Sequence, residues 1–201
     1  MLQKVLRKHG VQDSVITTIA DIGALDWKDS KALKKLYPKA RVYSFEAMQQ
    51  NYIKCMKNNP DSYCTVLSGK NGVVEFYEKK RNGVHSIYER IEEPTVKIHK
   101  LKSYTFKSFQ KKNNIPDPVL VKLDVEGAAY DVLKGCDLKN IGIIQVEVET
   151  IEYFKGQHLR EDVEELLAKN KFKLIYELKC TKGQYDLVFI NTKMPELVKV
   201  I

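Results

Sequence analysis

No apolar run in this chain approaches the roughly 18 residues that a membrane-spanning helix needs, and the opening Met1-Leu2-Gln3-Lys4-Val5-Leu6-Arg7-Lys8 breaks its apolar residues with charge. Neither a signal peptide nor a membrane anchor is expected. Cysteine is also scarce. Cys55, Cys64, Cys136 and Cys180 form no Cys-x-x-Cys pair, and no Asn-x-Ser/Thr sequon occurs. Zinc-ribbon and disulfide-scaffold readings fail together, and a reducing, cytoplasmic compartment is expected. With 10 glycines and 6 prolines in 201 residues, collagen-like and low-complexity chains are excluded as well.

What is present is enough apolar residue, 43%, to bury one core of ordinary size, so residues 1–201 are expected to form a single domain. Lysine and arginine number 34 against 26 acids, a formal net charge of +8. Between Lys70 and Lys112 stand eleven bases and five acids, a local +6. A solvated face explains that run more simply than a nucleic-acid patch does.

Periodicity gives a doubly wound α/β pattern. After a helix over 2–9, strands are expected at 15–20, 41–46 and near 63–67, with helices over 30–36 and 49–57 between them. Residues 72–105 break the rhythm: 73–78 and 84–88 flank an Arg81-Asn82-Gly83 turn, which reads as a β-hairpin excursion over one end of the sheet. Winding resumes with helices near 106–113 and 128–134 and strands at 119–124 and 141–149. A helix over 160–170 and strands at 172–178 and 186–190 close the chain, placing an antiparallel strand within the sheet.

Ligands in such sheets bind beyond the carboxyl ends of the strands, and here those ends are acidic. They are Asp21, Glu46, Asp124 with Glu126, and Glu147 with Glu149. Asp21-x-Gly23 followed by Glu46 has the spacing of a nucleotide-handling βαβ unit, in which the second acid accepts hydrogen bonds from ribose hydroxyls. The Gly-x-Gly-x-x-Gly of a pyrophosphate cradle is missing, so a cofactor with ribose but no phosphate fits better. S-adenosylmethionine is such a cofactor.

Asp21-Ile22-Gly23-Ala24, Tyr43-Ser44-Phe45-Glu46, Thr105-Phe106-Lys107-Ser108-Phe109 and above all Val121-Lys122-Leu123-Asp124-Val125-Glu126-Gly127-Ala128-Ala129-Tyr130-Asp131-Val132-Leu133-Lys134-Gly135 resemble the FkbM family of S-adenosylmethionine-dependent O-methyltransferases. The resemblance runs from about Val15 to Asn191. It implies a Rossmann-like class I methyltransferase sheet of seven mostly parallel strands, with an antiparallel final strand and helices on both faces. It also implies that Asp21, Gly23 and Ala24 line the methionine and ribose end of the cofactor, that Ser30 binds its carboxylate, that Glu46 with Ala47 holds the ribose, and that Leu67 and Ser68 lie near the adenine. One departure is Ala24-Leu25-Asp26-Trp27, which lacks the family's second glycine and leaves Trp27 either over the cofactor or in the core.

Methyl transfer to a hydroxyl needs in-line attack and a base. Asp124, which at the end of its strand also lies beside the cofactor and counts among its binding residues, is the leading candidate, with Glu147 sharing the acceptor, and Lys122, on the same face two residues earlier, either pairs with Asp124 or polarises the acceptor. His85 is the second candidate base. Glu126 reads as a residue facing a helix N-terminus. Asp124, Glu147 and Glu149 offer oxygen ligands for a divalent cation, with the metal left open. The expected acceptor is a sugar hydroxyl of a glycan or glycosylated metabolite, a deoxyhexose such as rhamnose for instance, and the chain is compatible with one domain of a larger glycan-building protein. An RNA ribose methylase and a degenerate fold serving as a binding module are the alternatives; no motif for nucleic-acid base methylation is present.

Overall fold

A computed structural model describes residues 1–197. In chain order it contains α1 (Leu2–Lys8), β1 (Thr18–Ile22), α2 (Lys28–Leu36), β2 (Arg41–Glu46), α3 (Gln49–Met56) and β3 (Ser62–Cys64). The excursion follows, as β4 (Val66–Leu67), β5 (Gly72–Lys79) and β6 (Thr95–Tyr104). Then come α4 (Phe106–Asn113), β7 (Leu120–Leu123), α5 (Ala129–Lys134), β8 (Ile143–Glu149), α6 (Arg160–Lys169), β9 (Phe172–Thr181) and β10 (Gln184–Asn191).

Seven strands form one sheet in the order β3-β2-β1-β7-β8-β10-β9, and only β10 runs against its neighbours. This is the Rossmann-like arrangement expected, with the antiparallel strand inside the sheet. Strand alternation assigns each side chain to a layer. Ala20, Tyr43, Val121 and Ile144 point to one face, where Phe106 and Phe109 of α4, Val132 of α5 and Leu167 of α6 cover them. Ile19, Val42, Leu120 and Ile143 point to the other, under Leu6 of α1 and Leu33 of α2. Burial of each such side chain stabilises the fold by about 1.5–3 kcal/mol. Edge-to-face packing of Phe45 on Phe106, with ring centroids 5.5 Å apart, fixes α4 against β2.

Three expectations need correction. The first strand starts at Thr18, because Asp13–Val15 forms a 3₁₀ turn whose Asp13 carboxylate accepts from Gln3 and Arg7. The third run splits at Thr65, so β3 joins the large sheet while β4 joins a three-stranded sheet ordered β4-β6-β5. In the excursion, β5 pairs antiparallel with β6, and 84–88 is not its hairpin partner. Ser86 makes one isolated bridge to Tyr77, since its segment turns its side chains toward the cleft and Glu126.

The small sheet packs onto the end of β2 through Val66, Phe76 and Met48. It stands over the position where the chain crosses from β3, at one edge, back to β7 beside β1. That reversal opens a crevice at the carboxyl ends of the strands.

Candidate active site

The crevice is a cleft of about 530 Å³. Its floor includes Gly23, Glu46, Leu67, Asp124 and Glu147, and the 81–90 segment of the excursion forms its roof. Gly23 has φ +88°, and a Cβ there would stand 1.7 Å from the Asp124 carbonyl oxygen. The turns after β1 and β7 therefore touch, and only glycine allows it.

At one end Glu46 is held from two sides: Oε2 accepts from the Leu25 backbone N–H at 2.9 Å and Oε1 from Met48 N–H at 2.8 Å. Burial pushes its carboxyl up to about 7 against those bonds. Ala47 and Leu67 line the cleft beside it. Thr65 also lines it, with a buried hydroxyl that has no protein partner. Phe45, Val66 and Leu67 add apolar wall.

Asp21, Ala24, Ser30 and Ser68 are buried and lie behind the lining. Ser30 Oγ donates to Asp21 Oδ2 and lies 2.9 Å from Ser44 Oγ. Ser68 Oγ donates to the Lys70 carbonyl. Burial raises the Asp21 carboxyl, and Lys122 opposes that rise. Lys122 Nζ lies 2.8 Å from Asp29, 3.3 Å from Asp124 and 3.7 Å from Asp21. Burial disfavours its charge, yet the carboxylates of Asp21, Asp124 and Asp29 more than reverse this and raise it overall. Trp27 packs against the α1 and α2 side of the core and does not line the cleft.

At the other end, carboxylate oxygens of Asp124, Glu126 and Glu147 lie within 4.8 Å of one another. Such a set of hard oxygen donors is of the kind that suits divalent cations. The structure thus brings Glu126 into the group in place of Glu149, which instead accepts from Gln157 at 2.9 Å. Burial raises the Glu126 carboxyl to about 7, even with Arg90 Nη1 donating to it at 2.8 Å. Burial and the facing Asp124, Glu126, Glu149 and Asp186 raise Glu147. His85 lines the roof with both ring nitrogens engaged: Nδ1 accepts from Lys79 N–H at 3.0 Å, and Nε2 lies 3.2 Å from Asn82 Oδ1. Burial lowers its pKa.

Among the lining residues not singled out from sequence are Asn51, Thr65, Asn82, Ser86 and Arg90. Arg90 stacks 5.0 Å over Phe154, and Ser86 Oγ donates to the Glu126 carbonyl at 2.6 Å. Neither excursion residue sits in a local motif.

The sheet order, with a cleft at its switch point, is that of the Rossmann-like class I methyltransferase fold. Three solved methyltransferases share the fold. The magnesium protoporphyrin IX methyltransferase of Synechocystis PCC 6803, solved with bound S-adenosylmethionine, is 12% identical with a TM-score of 0.52, over 95% of this chain and 76% of that one. TrmK of M. capricolum, solved with S-adenosylhomocysteine, is 15% identical with a TM-score of 0.52, over 92% of this chain and 66% of that one. An FkbM methyltransferase of Methylobacillus flagellatus KT is 13% identical with a TM-score of 0.53, over 86% of this chain and 43% of that longer one. No curated protein sequence matches. The model of the methyltransferase FkbM domain matches residues 21–174, from the acid that closes β1 into β9, and the chain belongs to this family of S-adenosylmethionine-dependent methyltransferases.

Proposed function

We propose that the protein O-methylates a sugar hydroxyl, with Asp124 as base. The observation that carries the reading is the pair of carboxyl groups, Asp124 and Glu147, that face one cleft from the ends of neighbouring strands. Asp124 keeps 38% of its side chain exposed.

The cleft suits the cofactor chemically. Glu46 offers a carboxylate for ribose hydroxyls, the wall of Phe45, Val66 and Leu67 suits a purine, and the orphaned Thr65 hydroxyl offers a polar contact. When bound, S-adenosylmethionine supplies an electrophilic methyl group. Asp124 would take the proton of the acceptor hydroxyl as its oxygen receives that methyl. Glu147, raised by burial and then by its acidic neighbours, donates as a protonated carboxyl a hydrogen bond to a second acceptor oxygen. Arg90 fixes Glu126 beside them. Adjacent hydroxyls are what such a row of carboxyls recognises, so a deoxyhexose such as rhamnose is a suitable first acceptor to try.

A ribose methylase fits less well. Phosphates would meet an acidic wall, and Lys122, needed as a free cation in that reading, is spent on three aspartates. The whole chain is proposed to act as one catalytic domain in a reducing, cytoplasmic setting, consistent with four free cysteines. Among the described residues no helix is long and apolar enough to cross a membrane.

The test compares wild type with Asp124→Asn. Calorimetry with S-adenosylhomocysteine should give equal affinities, while methyl transfer to a sugar acceptor should fall by about 10²–10⁴-fold. Unchanged turnover would remove Asp124 as the base.

A further inference from the structure

Residues 81–85 are fastened to the Glu46 end of the cleft by a chain of side-chain hydrogen bonds through Asn51, whose Oδ1 also accepts from the Lys54 ammonium at 3.3 Å. Asn51, on α3, is wholly buried and exchanges two amide hydrogen bonds with the exposed Asn82. Its Nδ2 donates to Asn82 Oδ1 at 3.0 Å, and Asn82 Nδ2 donates back to Asn51 Oδ1 at 3.2 Å. His85 extends the chain. Because its Nδ1 accepts from the Lys79 N–H, the ring proton sits on Nε2, which donates to Asn82 Oδ1. At the other end Asn51 favours the charged form of Glu46. A second contact lies alongside: a Cβ on Gly83 would be 3.3 Å from Leu25 Cδ2, and the Leu25 N–H donates to Glu46. Roof and ribose floor are thus one hydrogen-bonded unit, although they come from segments some 30 residues apart.

We propose that Asn82, held by Asn51 and by the neutral imidazole of His85, is a positioning residue that closes residues 81–85 over the adenosyl ligand at Glu46. The inference rests on the reading of Glu46 as the ribose acid. It makes closure sensitive to acid, since a second proton on His85 would set Nδ1–H against Lys79 N–H. The charged groups around the ring are Glu78 and His99, which pair with each other at 2.7 Å, Arg81 on the same loop and Glu46 across the cleft. The Lys79 ammonium is turned away, onto the Arg90 and Glu93 carbonyls and Thr95. Burial lowers the imidazole's pKa, which favours the neutral ring that donates to Asn82 at neutral pH.

Binding and release of S-adenosylhomocysteine test this in wild type, Asn82→Ala, His85→Ala, the double variant and Glu46→Gln. Asn82→Ala leaves the buried Asn51 amide without its acceptor, so it should lower the melting temperature modestly, and it should weaken binding about tenfold, mainly through faster release. His85→Ala should cost no more, and adding it to Asn82→Ala should cost nothing further. As pH falls through the lowered histidine pKa, affinity should fall more steeply in wild type than in Asn82→Ala. Wild-type release from Asn82→Ala, or additive effects of the two substitutions, would overturn the role of Asn82. Glu46→Gln separates the two claims: weakened binding in that variant upholds the ribose reading whatever Asn82 does, and unchanged binding there overturns that reading and the roof with it.

Discussion

Gly23 and the Asp124 carbonyl touch: a Cβ on Gly23 would stand 1.7 Å from that oxygen. The hydrogen bond from Asp124 N–H to the Ile22 carbonyl at 3.0 Å fixes the same approach. The contact joins the turn after β1 with the turn that carries Asp124.

Gly23→Ala must therefore separate the two turns. With φ at +88° the substitution adds backbone strain to the overlap, and a loss of about 3 kcal/mol is expected. Denaturant unfolding measures the loss, and calorimetry should show S-adenosylhomocysteine affinity lost with it. Wild-type stability would mean that the turns separate freely.

Lys122 is the ammonium serving the wholly buried Asp21. Lys122→Met strands that carboxylate and should cost about 3–5 kcal/mol. Asp29→Asn removes a partner whose side chain is 57% exposed and should cost less than about 1 kcal/mol. Equal costs for the two variants in urea unfolding would refute the assignment of Lys122 to the buried acid.

Burial raises Glu46 from its ordinary value of 4.5 to about 7 in the folded protein. A carboxyl raised on folding contributes stability that is fully present below its unfolded pKa and is lost as pH rises through the folded one. Glu46 should thus withdraw about 3 kcal/mol between about pH 4.5 and 7. Glu46→Gln should flatten the stability profile across that window; an unaltered slope would show that Glu46 titrates normally.

The parallel core was legible because strands buried on both faces are apolar runs, as in Val119-Leu120-Val121, and because β1, β2, β7 and β8 end at or beside an acid. β6 was not, since Lys97, Lys100 and Lys102 stand exposed along it and dilute the apolar signal. Thr65 divides an apolar run whose two halves belong to different sheets, and a single strand of sequence carries no mark of that. At the site, pairing of Lys122 with Asp124 followed from two-residue spacing on one face. Its shorter contact, Asp29, comes from α2, and no local pattern links them. Asn51, Asn82 and Arg90 escaped for the same reason: their partners lie 31 and 36 residues away. Trp27, open between cofactor and core, went to the core with φ +74° in the turn that lacks the second glycine.

Sugar O-methylation at Asp124 is tested most directly by supplying isotopically methyl-labelled S-adenosylmethionine to wild type and Asp124→Asn, with deoxyhexose glycosides and RNA as parallel acceptors. The account predicts label on a sugar oxygen of a glycoside, formed by wild type, nearly absent from Asp124→Asn and insensitive to salt. Label on RNA alone, with the steep salt dependence of phosphate binding, would contradict it.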